Sequence, residues 1–153
     1  MKPAPGALPW DTEAPPFDPR DTSNRAALSP REVAERFIEV FYRQNRLVEA
    51  FEAWVHPGYV QHDPNSKTGR DGTIEALAAH MQRSPRMSHD IKRVIYGDDG
   101  TIAVHYHFRH SPEERGLAVV DLFRIENGYL VEHWDIIQPI PDPATAKNPN
   151  GMV

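Results

Sequence analysis

Ala118-Val-Val-Asp121-Leu-Phe-Arg-Ile-Glu-Asn-Gly128-Tyr-Leu-Val-Glu-His-Trp-Asp135 decides the fold class. Apolar and polar residues alternate on both sides of Asn127-Gly128, and that dipeptide supplies the two positive-φ residues of a type I′ turn. The stretch reads as a β-hairpin that puts Asp121 and Trp134 on neighbouring strands. Each strand carries an acid among apolar positions. A carboxylate between Val120 and Leu122 needs a partner or a task, because an unpaired buried charge is costly.

Upstream of the hairpin, residues 89–96 and 101–109 alternate as strands around Gly97-Asp-Asp-Gly100, and a charged loop over 112–115 leads into the hairpin. Four antiparallel strands in a meander are the simplest topology. Three helices precede them. Ser29 and Glu32 form a capping box with Pro30 at the first helical position, and Val33, Phe37, Val40 and Phe41 recur at helical spacing as far as Gln44. A second stripe, Leu47, Phe51, Trp54 and Val55, is expected to stop at His56-Pro57-Gly58. A short extended segment carries Tyr59-Val-Gln-His62-Asp63-Pro64. A third helix is expected over 72–83, with Ile74, Leu77, Ala78 and Met81 inward. Helices followed by consecutive strands make an α+β domain with one sheet face against the helices.

The chain of 153 residues fits one domain and has no cysteine, so thiolate metal sites are excluded. A net charge of -5 without basic clusters argues against nucleic acid as a partner. No apolar run approaches the ~20 residues of a membrane span, and the N-terminus lacks a signal-peptide core; a cytoplasmic protein is the expectation. Six prolines in the first 28 residues, with no apolar periodicity, read as a flexible or surface-draped arm that Trp10 and Phe17 could pin. The domain is expected over 29–140, with an extended proline-rich tail over 141–153.

The Tyr-x-x-His-x-Pro segment, the glycine before the third helix, and Asp-x-Phe-Arg-x-x-Asn-Gly-x-x-x-Glu-His-Trp-Asp together resemble the SnoaL-like branch of the nuclear transport factor 2 superfamily. The resemblance covers about residues 29–139. It implies a cone-shaped α+β fold, a curved antiparallel sheet around a long helix with a deep pocket, often as a homodimer. It also implies an aspartate, here Asp121, that serves as general acid/base in an aldol ring closure with no metal or cofactor. The scaffold hosts cyclases, isomerases, dehydratases and proteins that only bind.

Strand alternation nominates the pocket residues. Ala103, His105, His107 and Arg109 share one face of their strand, with Ile102, Val104, Tyr106 and Phe108 on the other, and either face could be inward. If the imidazoles face a cavity, His107 is a catalytic candidate and His105 a substrate contact; otherwise both are solvated or in a subunit contact. Val119, Asp121 and Phe123 share an apolar face, where desolvation would favour general acid/base work by Asp121; an ion pair with Arg124 or a histidine is the inert alternative. By the resemblance, either His62 or Asp63 matches a catalytic carboxylate of the superfamily's ketosteroid isomerases. Alternation lets only one point inward, and His62 is preferred because Asp63 before Pro64 suits a turn. Tyr59, Trp134, Trp54 and Phe37 are candidate pocket walls for an apolar carbonyl substrate, with plain packing the commoner role of Trp54 and Phe37.

These residues suit proton transfer at a carbon beside a carbonyl, as in aldol condensation, double-bond migration or dehydration. A non-catalytic small-molecule binder of the same fold is a second reading. A metal enzyme built on His105-x-His107 is a third.

Overall fold

The computed structural model describes residues 13–153. Its elements run α1 (Pro30–Ile38), a π-helical turn (Glu39–Arg43), α2 (Leu47–Trp54), β1 (Val55–Gln61), α3 (Arg70–Arg83), β2 (Ser88–Tyr96), β3 (Thr101–Arg109), β4 (Leu117–Glu126) and β5 (Tyr129–Pro139). The expected capping box starts α1: the Glu32 amide donates to Ser29 Oγ at 3.3 Å and the Ser29 amide to Glu32 Oε2 at 2.8 Å.

The first helix does not stay regular to Gln44. It widens into the π turn, and Val40, Phe41 and Tyr42 are all buried there. Three consecutive residues of an α-helix cover some 200° of its circumference, so a regular continuation would turn one of them away from the sheet. The wider turn keeps Tyr42 on the core side. Asn45, at φ 53°, then reverses the chain.

The second helix ends earlier than proline and glycine suggested. Val55 is already the first residue of β1, and Pro57 and Gly58 lie inside that strand. β1 pairs parallel to β5, with Val55 opposite Leu130 but Val60 opposite Glu132. The unmatched residues form a bulge at an edge strand, where proline and glycine are tolerated. The four-strand meander is present, and β1 extends it to an open five-stranded sheet in the order β1-β5-β4-β3-β2. The architecture is a curved, mainly antiparallel sheet with helices on one face. At the hairpin, φ is 51° at Asn127 and 78° at Gly128, as the type I′ turn requires.

The open question on β3 is decided by burial: Ile102, Val104, Tyr106 and Phe108 face the helices, while His105 and His107 are on the far face. The core packs Phe37, Phe41 and Phe51 against Val104, Phe123 and Leu130. Residues 17–28 lie on this body. The Trp54 indole N–H donates to the Pro19 carbonyl at 2.8 Å, the Arg36 guanidinium sits 4.3 Å from the Phe17 ring centroid, and Arg25 covers the Tyr129 ring at 3.9 Å. Trp10 lies outside the described residues. No helix among the described residues is long and apolar enough to cross a membrane.

Candidate active site

The sheet curls over α3 and the π turn around a cavity of about 480 Å³. Phe37, Phe41, Phe51, Leu77, Met81 and Met87 make its apolar walls, and Tyr59, Gln61, Asp63, Asp121, His133 and Asp135 bring polar groups to it. A cavity of this size holds one medium-sized organic molecule, and a few converging polar groups would orient it.

Asp121 is the hub. It is 6% exposed, on the inward face of β4 between Val119 and Phe123. Its Oδ2 accepts from the Tyr42 hydroxyl and from the Tyr106 hydroxyl, the latter at 3.0 Å. His133 Nε2 lies 3.2 Å from its Oδ1. His133, 8% exposed on β5, points its Nδ1 at Gln61 Oε1, 2.7 Å away. That oxygen also accepts the Asp63 backbone N–H at 2.9 Å, and a backbone donor fixes which end of the amide faces the ring. His133 therefore carries a proton on Nδ1 and turns Nε2 to Asp121. The Gln61 amide nitrogen reaches Thr73 Oγ1 on α3 at 3.4 Å, tying β1, β5 and α3 together.

The electrostatics follow from burial and from three nearby acids. Burial works against the His133 cation, but the hydrogen bond and charge of Asp121, with Asp135 and Asp63, outweigh it and raise its pKa above the ordinary value. Burial raises the pKa of Asp135, helped by Asp63 and Asp121 and opposed by His133. Burial first, then the Asp121 charge, holds Tyr42, Tyr59 and Tyr106 well above the usual phenol range, so they remain donors. His89, on β2 beside Tyr42 and Tyr106, is pushed by burial down to about 4. Asp121, His133 and Asp135 each offer a ligand atom within 4.8 Å of the others, a grouping among the described residues that could hold a metal ion. The Tyr42 and Tyr106 hydroxyls already donate to Asp121, and the raised pKa of His133 favours the cation, whose Nε2–H donates to it as well.

The SnoaL-like domain family matches residues 34–133, which takes in the helices from within α1 onward, most of the cavity lining and Asp121 through His133. The chain belongs to the SnoaL-like family. Among solved structures, this SnoaL-like chain is similar to TsrD from Streptomyces laurentii at 18% identity, over 72% of this chain and 90% of that one, with a TM-score of 0.57. It is similar to IdmH from Streptomyces antibioticus, described as a candidate polyketide cyclase, at 20% identity over 72% and 92%, TM-score 0.55. A cystatin-fold protein from Novosphingobium aromaticivorans matches at 19% identity over 71% and 98%, TM-score 0.59. At these identities the likeness establishes the fold. No curated relative matches in sequence.

Of the residues that the sequence nominated, this SnoaL-like cavity takes Asp121, Tyr59 and Phe37. Trp54 is fully buried behind the cavity wall, where its indole holds the N-terminal segment. The two β3 histidines lie across the sheet from Asp121: His107 Nε2 bonds the Arg115 carbonyl at 2.6 Å, and His105 Nδ1 meets the Arg93 guanidinium. They form no metal pair with the cavity acids. His62 is corrected to the outer face as well, stacked on Trp134 at 4.9 Å and bonded to Glu132 Oε1 at 2.9 Å. Its neighbours Gln61 and Asp63 take the cavity side. The reason is the pairing of β1 with β5, which sets the facing of both strands at once, so Trp134 goes out wherever His133 goes in. Sequence reasoning missed His133, Tyr42, Tyr106, Gln61 and His89. Alternation did place His133 beside Asp135 and opposite Trp134, and the apolar face of β3 carried Tyr106; those were the signals available.

Proposed function

We propose that the protein is a small-molecule enzyme that moves protons at a carbon beside a carbonyl, of the cyclase, isomerase or dehydratase type, without a cofactor. The supporting observation is Asp121, buried at the wall of a largely apolar cavity and aimed by Tyr42, Tyr106 and His133. Asp121 is the base: the carbon–hydrogen bond breaks toward Oδ1, the electron pair moves through the new carbon–carbon double bond to the carbonyl oxygen, and the proton is returned to carbon or oxygen later. As the cation that its raised pKa favours, His133 positions Oδ1 through Nε2–H, and Gln61 sets the orientation of its ring. Asp135, with its raised pKa, is placed to return a proton. The substrate is an apolar molecule with an enolisable carbonyl, which the aromatic walls receive. Family membership supports the same class of chemistry. A cytoplasmic homodimer is part of this reading.

The test is exchange of α-protons for deuterium in a panel of cyclic ketones and β-keto thioesters, followed by NMR. Wild type should exchange at least one of them above the buffer rate, with Asp121→Asn slower by about 10² to 10⁴, the usual contribution of a positioned acid or base. Chelators should leave the rate unchanged; loss on chelation would remove the cofactor-free part of the proposal. Binding across the panel without exchange would leave a small-molecule carrier.

A further inference from the structure

An enolate needs a donor for its oxygen, and the donors bonded to Asp121 are already used, which leaves the Tyr59 hydroxyl and His89 on the cavity wall. Tyr42 and Tyr106 both give their protons to Asp121 Oδ2, and His133 is held between Asp121 and Gln61. His89 is different. It lines the cavity from β2, opposite Phe108, with its ring centroid 5.4 Å from those of both Tyr42 and Tyr106. Its Nδ1 is buried without a hydrogen-bond partner, packed among Phe41, Tyr42, Tyr106 and Phe108, whereas Nε2 is not enclosed in this way. A buried N–H without an acceptor is rarer than a buried acceptor without a donor. The proton therefore belongs on Nε2, the nitrogen open to the cavity.

We propose that His89 is a substrate-binding residue whose Nε2–H donates to the substrate's carbonyl oxygen and holds the oxyanion formed when Asp121 takes the neighbouring proton. This rests on the acid/base reading of Asp121. It narrows the substrate to molecules whose carbonyl oxygen reaches the His89 side of the tyrosine pair while the acidic carbon faces Oδ1. The aromatic cage keeps the imidazole uncharged at neutral pH, with its pKa about 4. An uncharged imidazole donates without first losing a proton to the acids beside it, and a fixed donor in a dry site stabilises developing charge strongly. His80, the other cavity imidazole free of hydrogen bonds among the described residues, packs on His110 and Phe108 instead of on the tyrosines.

The experiment uses Asp121→Asn, which stands in for the protonated aspartate after abstraction, and para-nitrophenol as the oxyanion probe, read by its absorbance. In that background His89→Phe should weaken nitrophenolate binding by about tenfold or more, the size of one well-placed hydrogen bond to a charged group. It should change para-nitrotoluene binding by less than about twofold, with the site still packed by an aromatic ring. His89→Gln should recover part of the loss, and His62→Phe, on the outer face of the sheet, should leave nitrophenolate binding unchanged. Nitrogen-15 NMR of histidine should show the Nε2–H tautomer at His89. Equal weakening of both probes, no weakening of either, or an Nδ1–H tautomer would overturn the proposal. The α-proton exchange of wild type reads the base and the nitrophenolate preference reads His89, so either result can fail while the other stands.

Discussion

His89 also sets a pH response, because its ring is folded into the cage uncharged. Burial is the main cause of its low pKa, with Asp121 opposing and His80 assisting. A histidine with a depressed folded pKa contributes stability that is fully present above its unfolded value of 6.5 and is lost as the pH falls toward about 4. Between those limits the unfolded chain takes up a proton that the folded chain refuses. Wild type should therefore lose stability relative to His89→Phe on acidification, by up to about 1.4 kcal/mol per pH unit. Urea denaturation of both proteins across that window checks it, and parallel curves would contradict it. His133 acts with the opposite sign, its pKa being raised, and is common to both proteins. Asp121 was legible in the sequence as an acid on an apolar face. Its partners were not, since Tyr42 is 79 residues away in the chain and reaches it only through the π turn.

At the level of elements, the β4–β5 hairpin and its type I′ turn were readable, with Glu126 opposite Tyr129 and Ile125 opposite Leu130, but a bulge then shifts the register by one residue, so that Asp121 lies opposite Asp135 and not Trp134. The turn also holds the N-terminal segment: Arg25 donates to the Gly128 carbonyl at 3.0 Å and stacks on Tyr129. A Cβ at Gly128 would come within 2.4 Å of Arg25 Cγ, at a φ of 78°. Gly128→Ala should cost about 1 to 3 kcal/mol through the strained backbone, with further loss from displaced Arg25, whereas Asn127→Gly should stay within about 1 kcal/mol because glycine takes the same backbone freely. Thermal denaturation of the two variants separates the turn from the contact. The end of α2 was read less well. Proline and glycine at 57–58 signal a helix stop, yet they belong to a strand whose pairing with β5 lies outside local sequence.

On the scale of the molecule, the sheet has an outer face that the helices do not cover. Ile95, Ile136 and Val60 lie on it at 58%, 63% and 42% exposure, beside the half-buried Trp134. If this face carries the proposed homodimer, light scattering should give about twice the mass of the chain, and Ile136→Lys should shift it toward the monomer without loss of fold. A monomeric wild type would remove the dimer. The two histidines of β3 lie on this same face, so they are better placed for a subunit contact than for the cavity. The sequence alone determined the α+β class, the capped first helix, the hairpin and its turn, and the alternation that sets Asp121 against Val120. These depend on neighbours within a few residues. Only the tertiary structure decided which side of each strand is inside, that β1 joins β5, and that Tyr42, Tyr106 and His133 meet at Asp121. Alternation defines two faces but does not say which one the helices will cover, and that choice comes from packing the whole apolar surface at once.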